Sequence, residues 1–114
     1  MSRRDVTDAL ADMARYTETA VRMVGGMTLD ELQAAERTTL ALEQAIEILG
    51  EAAGRVPQDW RERHPDLPWR EMIGTRNRLA HGYFATELFI LHEIATKLLP
   101  PLLPRLRAIA GEVD

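Results

Sequence analysis

The chain contains no cysteine. Disulfides, thiolate zinc sites and cysteine nucleophiles are therefore excluded from its chemistry. No apolar run approaches the roughly 20 residues that a helix needs to span a bilayer. No apolar stretch follows Met1-Ser2-Arg3-Arg4-Asp5, so no secretory signal is expected and the cytoplasm is the expected address. Gly25-Gly26 has no lysine-serine successor, which leaves the chain without a phosphate-cradling glycine loop. No segment alternates with period two, so no strand is expected. Internal repeats and low-complexity segments are also missing. What is present suits a globular protein: 114 residues, 46% hydrophobic and 28% charged, the size of one compact domain over residues 1–114.

Positive charge is scarce as well. The net charge of −4 argues against strong nonspecific nucleic-acid binding, which grows with the number of phosphates neutralised. The distribution matters more than the sum. Residues 54–81 carry six arginines against four acids and form the only basic stretch, at +2. That suits a small site gripping one or two phosphates, although a solvated mixed-charge face would look the same.

The periodicity is helical almost throughout. Val6, Leu10, Met13, Ala20, Val21 and Val24 share one face, and Gly25-Gly26 ends that helix. Thr28, with Glu31 three residues on, makes a capping box. From there Leu32, Ala35, Thr39, Leu42, Ile46, Leu49 and Ala53 alternate steps of three and four, predicting one helix of about six turns that ends near Gly54. Residues 55–68 hold three prolines and read as a connector with a short helical turn at 58–60. Pro68 opens a third long helix carrying Trp69, Met72, Ile73 and Ala80, ending near His81 with Gly82 as its left-handed cap. Thr86 is placed as the cap of a fourth helix bearing Leu88, Leu91, Ile94 and Leu98. Pro100 and Pro101 are expected to break or kink it before a last helix with Leu102, Leu103, Leu106 and Ile109. The fold class is all-α, an antiparallel four- to five-helix bundle. Leu98-Leu99-Pro100-Pro101-Leu102-Leu103, the long second helix and the two tryptophans offer much apolar surface, which composition assigns to the core slightly ahead of a subunit interface.

The chemistry concentrates in Arg76-Asn77-Arg78-Leu79-Ala80-His81-Gly82-Tyr83. Arginine is a permanently charged fork suited to phosphate, and histidine exchanges its proton near neutral pH. Together they are the minimum kit for cutting RNA without a metal. Cleavage by the RNA's own 2′-hydroxyl needs a base, an acid and positive charge on the crowded phosphate. One chain has one histidine in this string, and five helical residues turn about 500°, leaving Arg76 and His81 about 140° apart. Two chains meeting at this helix would supply two histidines and two arginines, which points to a symmetric homodimer with a shared cleft. Asn77 is placed to orient the imidazole, Arg78 adds a second cation, and Tyr83 brings a phenol that can take a modification. Such residues near a helix end can also simply cap it or join an ion-pair network.

The longer string Pro68-Trp69-Arg70-Glu71-Met72-Ile73-Gly74-Thr75-Arg76-Asn77-Arg78-Leu79-Ala80-His81-Gly82-Tyr83-Phe84 resembles the HepT-like branch of the HEPN superfamily, with its R-N-x-x-x-H-x-Y pattern after a tryptophan-containing helix start. The resemblance covers nearly the whole chain. It implies a dimerising HEPN-like helical domain, with Arg76 and His81 of both chains lining a cleft. It implies a metal-independent ribonuclease, without cofactor, acting on RNA as the toxin of a toxin–antitoxin pair. The antitoxin it implies is an MNT-type nucleotidyltransferase that transfers AMP from ATP to Tyr83. The alternative is a non-catalytic helical module that docks a nucleotidyltransferase or holds a nucleotide, a reading favoured by the net negative charge.

Other residues rank lower. His64, between Arg63 and Pro65, reads as a surface-loop histidine. His92 beside Glu93 makes no ligand pair on one face. Glu43, Glu47 and Glu51 stand four apart and read as a solvated ridge. Trp60 and Trp69 read as anchors of core or interface.

Overall fold

Ser2 starts the first helix. Its hydroxyl accepts from Asp5 N–H (3.1 Å) while its own N–H reaches back to the Asp5 carboxylate (3.3 Å), a reciprocal cap on two orphan donors. The computed structural model describes the backbone of residues 2–80 and 84–111, and the side chains of that set other than 77–80 and 84–87. Helix α1 (Arg3–Val24) buries Val6, Leu10, Met13, Thr17, Ala20 and Val24 at steps of four and three. Gly25 ends it at φ 53°, a backbone region that strains any residue with a side chain.

Thr28 then forms the expected capping box with Glu31 (3.1 and 3.0 Å), which holds the Glu31 carboxyl below its usual range. The helix that follows is not the long one the periodicity suggests. Helix α2 (Leu29–Ala34) stops after six residues, and α3 (Glu36–Arg55) begins past a break at Ala35, φ −99° and ψ 78°. The reason is local. In a continuous helix the Leu32 carbonyl would accept from residue 36; here it accepts from Ala35 N–H (3.0 Å) and from the Thr39 hydroxyl (2.7 Å). The bend leaves Leu32 fully buried, and α2 turns toward the later helix formed by Phe84–Glu93. A stripe read at steps of three and four cannot reveal a single residue that leaves the helix without leaving the stripe.

Helix α3 buries Leu42, Ala45, Ile46, Leu49, Gly50, Ala52 and Ala53, too wide a sector for one neighbour. It packs on α1 along one side and on α5 (Trp69–Ala80) along the other. In chain order α3 and α5 are separated by α4 (Gln58–Arg63), slightly longer than the expected turn. Helix α6 (Phe84–Glu93) begins two residues before Thr86, so Thr86 is not its cap.

Pro100 and Pro101 do not break the chain's helical path. A π turn (Ile94–Leu98) follows α6 directly, and α7 (Leu99–Gly111) follows the π turn. Its wider loop is closed by Leu99 N–H on the Ile94 carbonyl. A proline ring collides with the carbonyl four residues back and brings no N–H. An extra residue in the turn just before the two prolines relieves that collision. Pro100 and Pro101 then occupy the first turn of α7, where a missing N–H costs least. Leu99, Leu106 and Ile109 bury α7 against α1.

The result is an all-helical bundle with α3 between α1 and α5, and with no strand among the described residues. No helix among the described residues is long and apolar enough to cross a membrane.

Candidate active site

Helix α5, which carries Arg76 to Ala80 of the chemical string, is pinned at its start. Met72 N–H donates to the Pro68 carbonyl (3.1 Å), and Trp69 N–H donates to the Leu67 carbonyl (2.9 Å). The Trp69 indole Nε1–H donates to the His64 carbonyl at 2.9 Å. The His64 ring stacks on Trp60, with centroids 5.3 Å apart and planes inclined by 25°. Arg63 lies over the same tryptophan, its guanidinium carbon 4.5 Å from a ring centroid. Both tryptophans are partly buried against the core.

Arg105 reaches across from α7 and grips this connector. Its Nε donates to Asp66 (2.7 Å) and its Nη2 to His64 Nδ1 (3.2 Å). A guanidinium can only donate, so Nδ1 is the acceptor. The same guanidinium holds the Asp66 carboxyl below the ordinary carboxylate range. The surface placement expected for His64 is therefore wrong: the residue is only 8% exposed. Nothing near it in sequence could have shown this, because the partner that secures it lies 41 residues away.

Arg76 stands two turns beyond Trp69, where α5 crosses α3. The contact point on α3 is Gly50. A β-carbon built there would lie 2.5 Å from Arg76 Cβ, 2.6 Å from the Met72 carbonyl oxygen and 3.3 Å from Arg76 Cγ. The two helices therefore touch almost backbone to backbone at the level of Arg76. The arginine is partly buried and its Nε is shielded from solvent. Burial of the stem restricts how the charged fork can be presented, as a phosphate clamp needs. The sequence gives no sign of this role for Gly50, because a glycine in a helix is ordinarily just a weak point.

Asn77 and Arg78 continue α5, with side chains outside the described residues. His81, its neighbour Gly82 and Tyr83 also lie outside the described residues. Arg76 is thus the one member of the string whose side-chain surroundings the structure gives.

The other cations of the basic stretch are largely committed. Arg55 pairs with Asp12 (2.9 Å), and Arg61 donates to the Val56 carbonyl (2.8 Å) beyond the end of α3. Arg70 is exposed on a groove between α4 and α5 lined by Arg61, Glu62, Pro65 and Trp69. In the glutamate row, Glu51 is exposed, Glu43 and Glu47 are partly buried, and burial pushes the Glu43 carboxyl up. No group of three potential metal ligands occurs among the described residues. His92 donates from Nε2 to the Met27 carbonyl (2.8 Å), tying α6 to the α1–α2 loop.

Beside α5 lies an apolar surface. Ile90, Ile94 and Leu98 form one wall of a groove whose other wall is Glu71, Gly74 and Thr75 of α5. The same three apolar residues continue into a second groove with Phe89, which is 57% exposed. A phenylalanine left this open beside other apolar side chains is the kind of patch that marks an interface.

Comparison with known proteins identifies the family. The HepT-like family profile, described as "Ribonuclease HepT-like", matches residues 8–109. The chain is 31% identical over 100 residues to a Thermococcus cleftensis protein named "Probable ribonuclease HepT", covering 88% of this chain and 91% of that one. It is 32% identical over 102 residues to "Putative RNase MJ1380" of Methanocaldococcus jannaschii, covering 90% and 94%. No solved structure matches the chain. With the family profile spanning residues 8–109, nearly the whole chain, this chain belongs to the HepT-like ribonuclease family.

Proposed function

We propose that this chain is a metal-independent endoribonuclease that works as a symmetric dimer. Arg76 binds the scissile phosphate and stabilises the charge that builds on it. His81 of one chain takes the proton from the 2′-hydroxyl as that oxygen attacks phosphorus. His81 of the other chain gives a proton to the departing 5′-oxygen. Asn77 and Arg78 support the two. The observation that carries the reading is the stem of Arg76 wedged against α3, with Asn77 through Tyr83 following it in the sequence. The apolar surface of Phe89, Ile90, Ile94 and Leu98 supports dimerisation on the α5–α6 side.

In the same reading the enzyme is the toxin of a toxin–antitoxin pair. An MNT-type nucleotidyltransferase silences it by transferring AMP from ATP to the Tyr83 hydroxyl, with pyrophosphate leaving. The adduct puts a phosphate into the cationic cleft that RNA would otherwise occupy.

The test is His81→Ala in the purified full chain. It should abolish RNA cutting while helix content and dimer mass stay unchanged, and EDTA should not affect the parent enzyme. Retained cutting in the variant removes the mechanism. Co-expression with a nucleotidyltransferase, followed by intact-mass analysis, should show AMP additions that map to Tyr83. The net charge of −4 favours a second reading, a module that docks the nucleotidyltransferase without cutting. RNA left intact at every protein concentration, together with tight partner binding, would select it.

A further inference from the structure

From the contact between α3 and α5 we infer that Gly50 is a positioning residue for the ribonuclease reaction, setting the height at which Arg76 is offered to the scissile phosphate; this rests on the proposed role of Arg76. Four glycines other than Gly25 lie where an added β-carbon would meet nothing within 4 Å: Gly26, Gly54, Gly74 and Gly111. Gly50 is different in kind. The atoms a β-carbon would strike are the Met72 carbonyl oxygen at 2.6 Å and Arg76 Cβ at 2.5 Å. Neither is the loose end of a side chain, so neither can swing aside. The only relief is a movement of α5 as a body away from α3.

The size of that movement follows from contact distances. Carbon atoms rest about 3.5–4.0 Å apart, so a methyl on Gly50 must push Arg76 Cβ outward by roughly 1 Å. Arg76 is the residue displaced most directly, because its Cβ and Cγ both face the glycine. The start of α5 is fixed independently by the Trp69 indole on the His64 carbonyl. The displacement therefore tilts the helix from its anchored end and grows along the turns that lead to Asn77 and beyond. A catalytic group misplaced by about 1 Å can lose on the order of 10²-fold in rate. The glycine also explains why α3 tolerates a weak helix former in its buried middle: any larger residue would hold the two helices apart.

The experiment compares Gly50→Ala with Gly54→Ala in the full chain, assayed on the same RNA. Gly54 stands one turn further along α3 with open space around it, so its variant controls for adding a methyl to this helix. Gly50→Ala should keep the parent's helical circular dichroism and lower kcat by roughly 100-fold, with KM changed by less than about threefold. Gly54→Ala should cut at the parent rate. The Arg76 Nε–Hε signal in the proton–nitrogen spectrum should move in Gly50→Ala and not in Gly54→Ala. Gly50→Ala is also made in the Gly54→Ala background, whose added helix propensity offsets part of the overpacking. A folded Gly50→Ala variant with parent kcat overturns the inference. So does a variant that stays unfolded in both backgrounds, because the glycine would then serve folding and not placement. His81→Ala and Arg76→Ala are run beside them. If those two cut normally, the catalytic reading fails; if they are inactive while Gly50→Ala cuts normally, only the positioning role fails.

Discussion

Two arginines on α7 make nearly the same ion pair and should differ sharply in what they contribute. Arg105 Nε lies 2.7 Å from Asp66, and Arg107 Nη2 lies 2.9 Å from Glu18. All four side chains are well exposed, between 39% and 57%, so each pair in isolation is worth at most ~1 kcal/mol. The difference is the second hand of Arg105, which donates to Nδ1 of the buried His64 at 3.2 Å. Removing a charged donor from a buried acceptor costs about 1–3 kcal/mol. In a chain of this size 1 kcal/mol moves Tm by about 4 °C. Arg105→Ala should therefore lower Tm by roughly 4–12 °C, and Arg107→Ala by less than about 4 °C. The assay is thermal unfolding followed by circular dichroism at one fixed protein concentration, because a dimer's Tm depends on concentration. High salt should erase most of the Arg107 effect and little of the Arg105 effect. Arg105→Lys should fall between, since an ammonium cannot grip two acceptors with a planar fork. In a His64→Ala background the excess cost of Arg105→Ala should vanish. Equal Tm losses from Arg105→Ala and Arg107→Ala would refute the idea that the buried imidazole makes the difference.

Two further outcomes follow from the same structure. Phe89→Glu places a charge on the exposed apolar surface beside α5; light scattering should show monomers with unchanged helicity, and RNA cutting should be lost, whereas a dimeric, active variant would remove that surface as the interface. Asp66 has its carboxyl pKa depressed in the folded chain by the Arg105 hydrogen bond, so its stabilising contribution is present above the unfolded pKa and fades as pH falls through the folded value. Tm should therefore drop on acidification below about pH 4 more in the parent than in Asp66→Asn, and parallel curves would contradict the pairing.

The two kinds of information in this chain separate cleanly along range. The capping box at Thr28 and Glu31 was legible because its donors and acceptors lie three residues apart. The stop at Gly25 was legible because one residue type accepts φ 53° without strain. The break at Ala35 was not, since it keeps the apolar spacing and changes only which group satisfies the Leu32 carbonyl. Pro100 and Pro101 predict a break or a kink because proline disturbs a regular helix, whereas the widened turn that carries the helical path into them, beside the buried Ala95 and Leu99, has no local signal.

By itself, then, the order of residues determined that the chain is helical, where α1 stops and α2 and α5 start, and that Arg76, Asn77, His81 and Tyr83 sit together on one short string. These are matters of hydrogen bonds and side-chain spacing within a few residues. Tertiary structure alone decided that His64 is buried under Arg105 and that Gly50 lets α5 settle onto α3 at Arg76. Both depend on backbones that are distant along the chain meeting at van der Waals distance. No local pattern encodes how closely two helices may approach, because that limit is set by the smallest residue at their crossing.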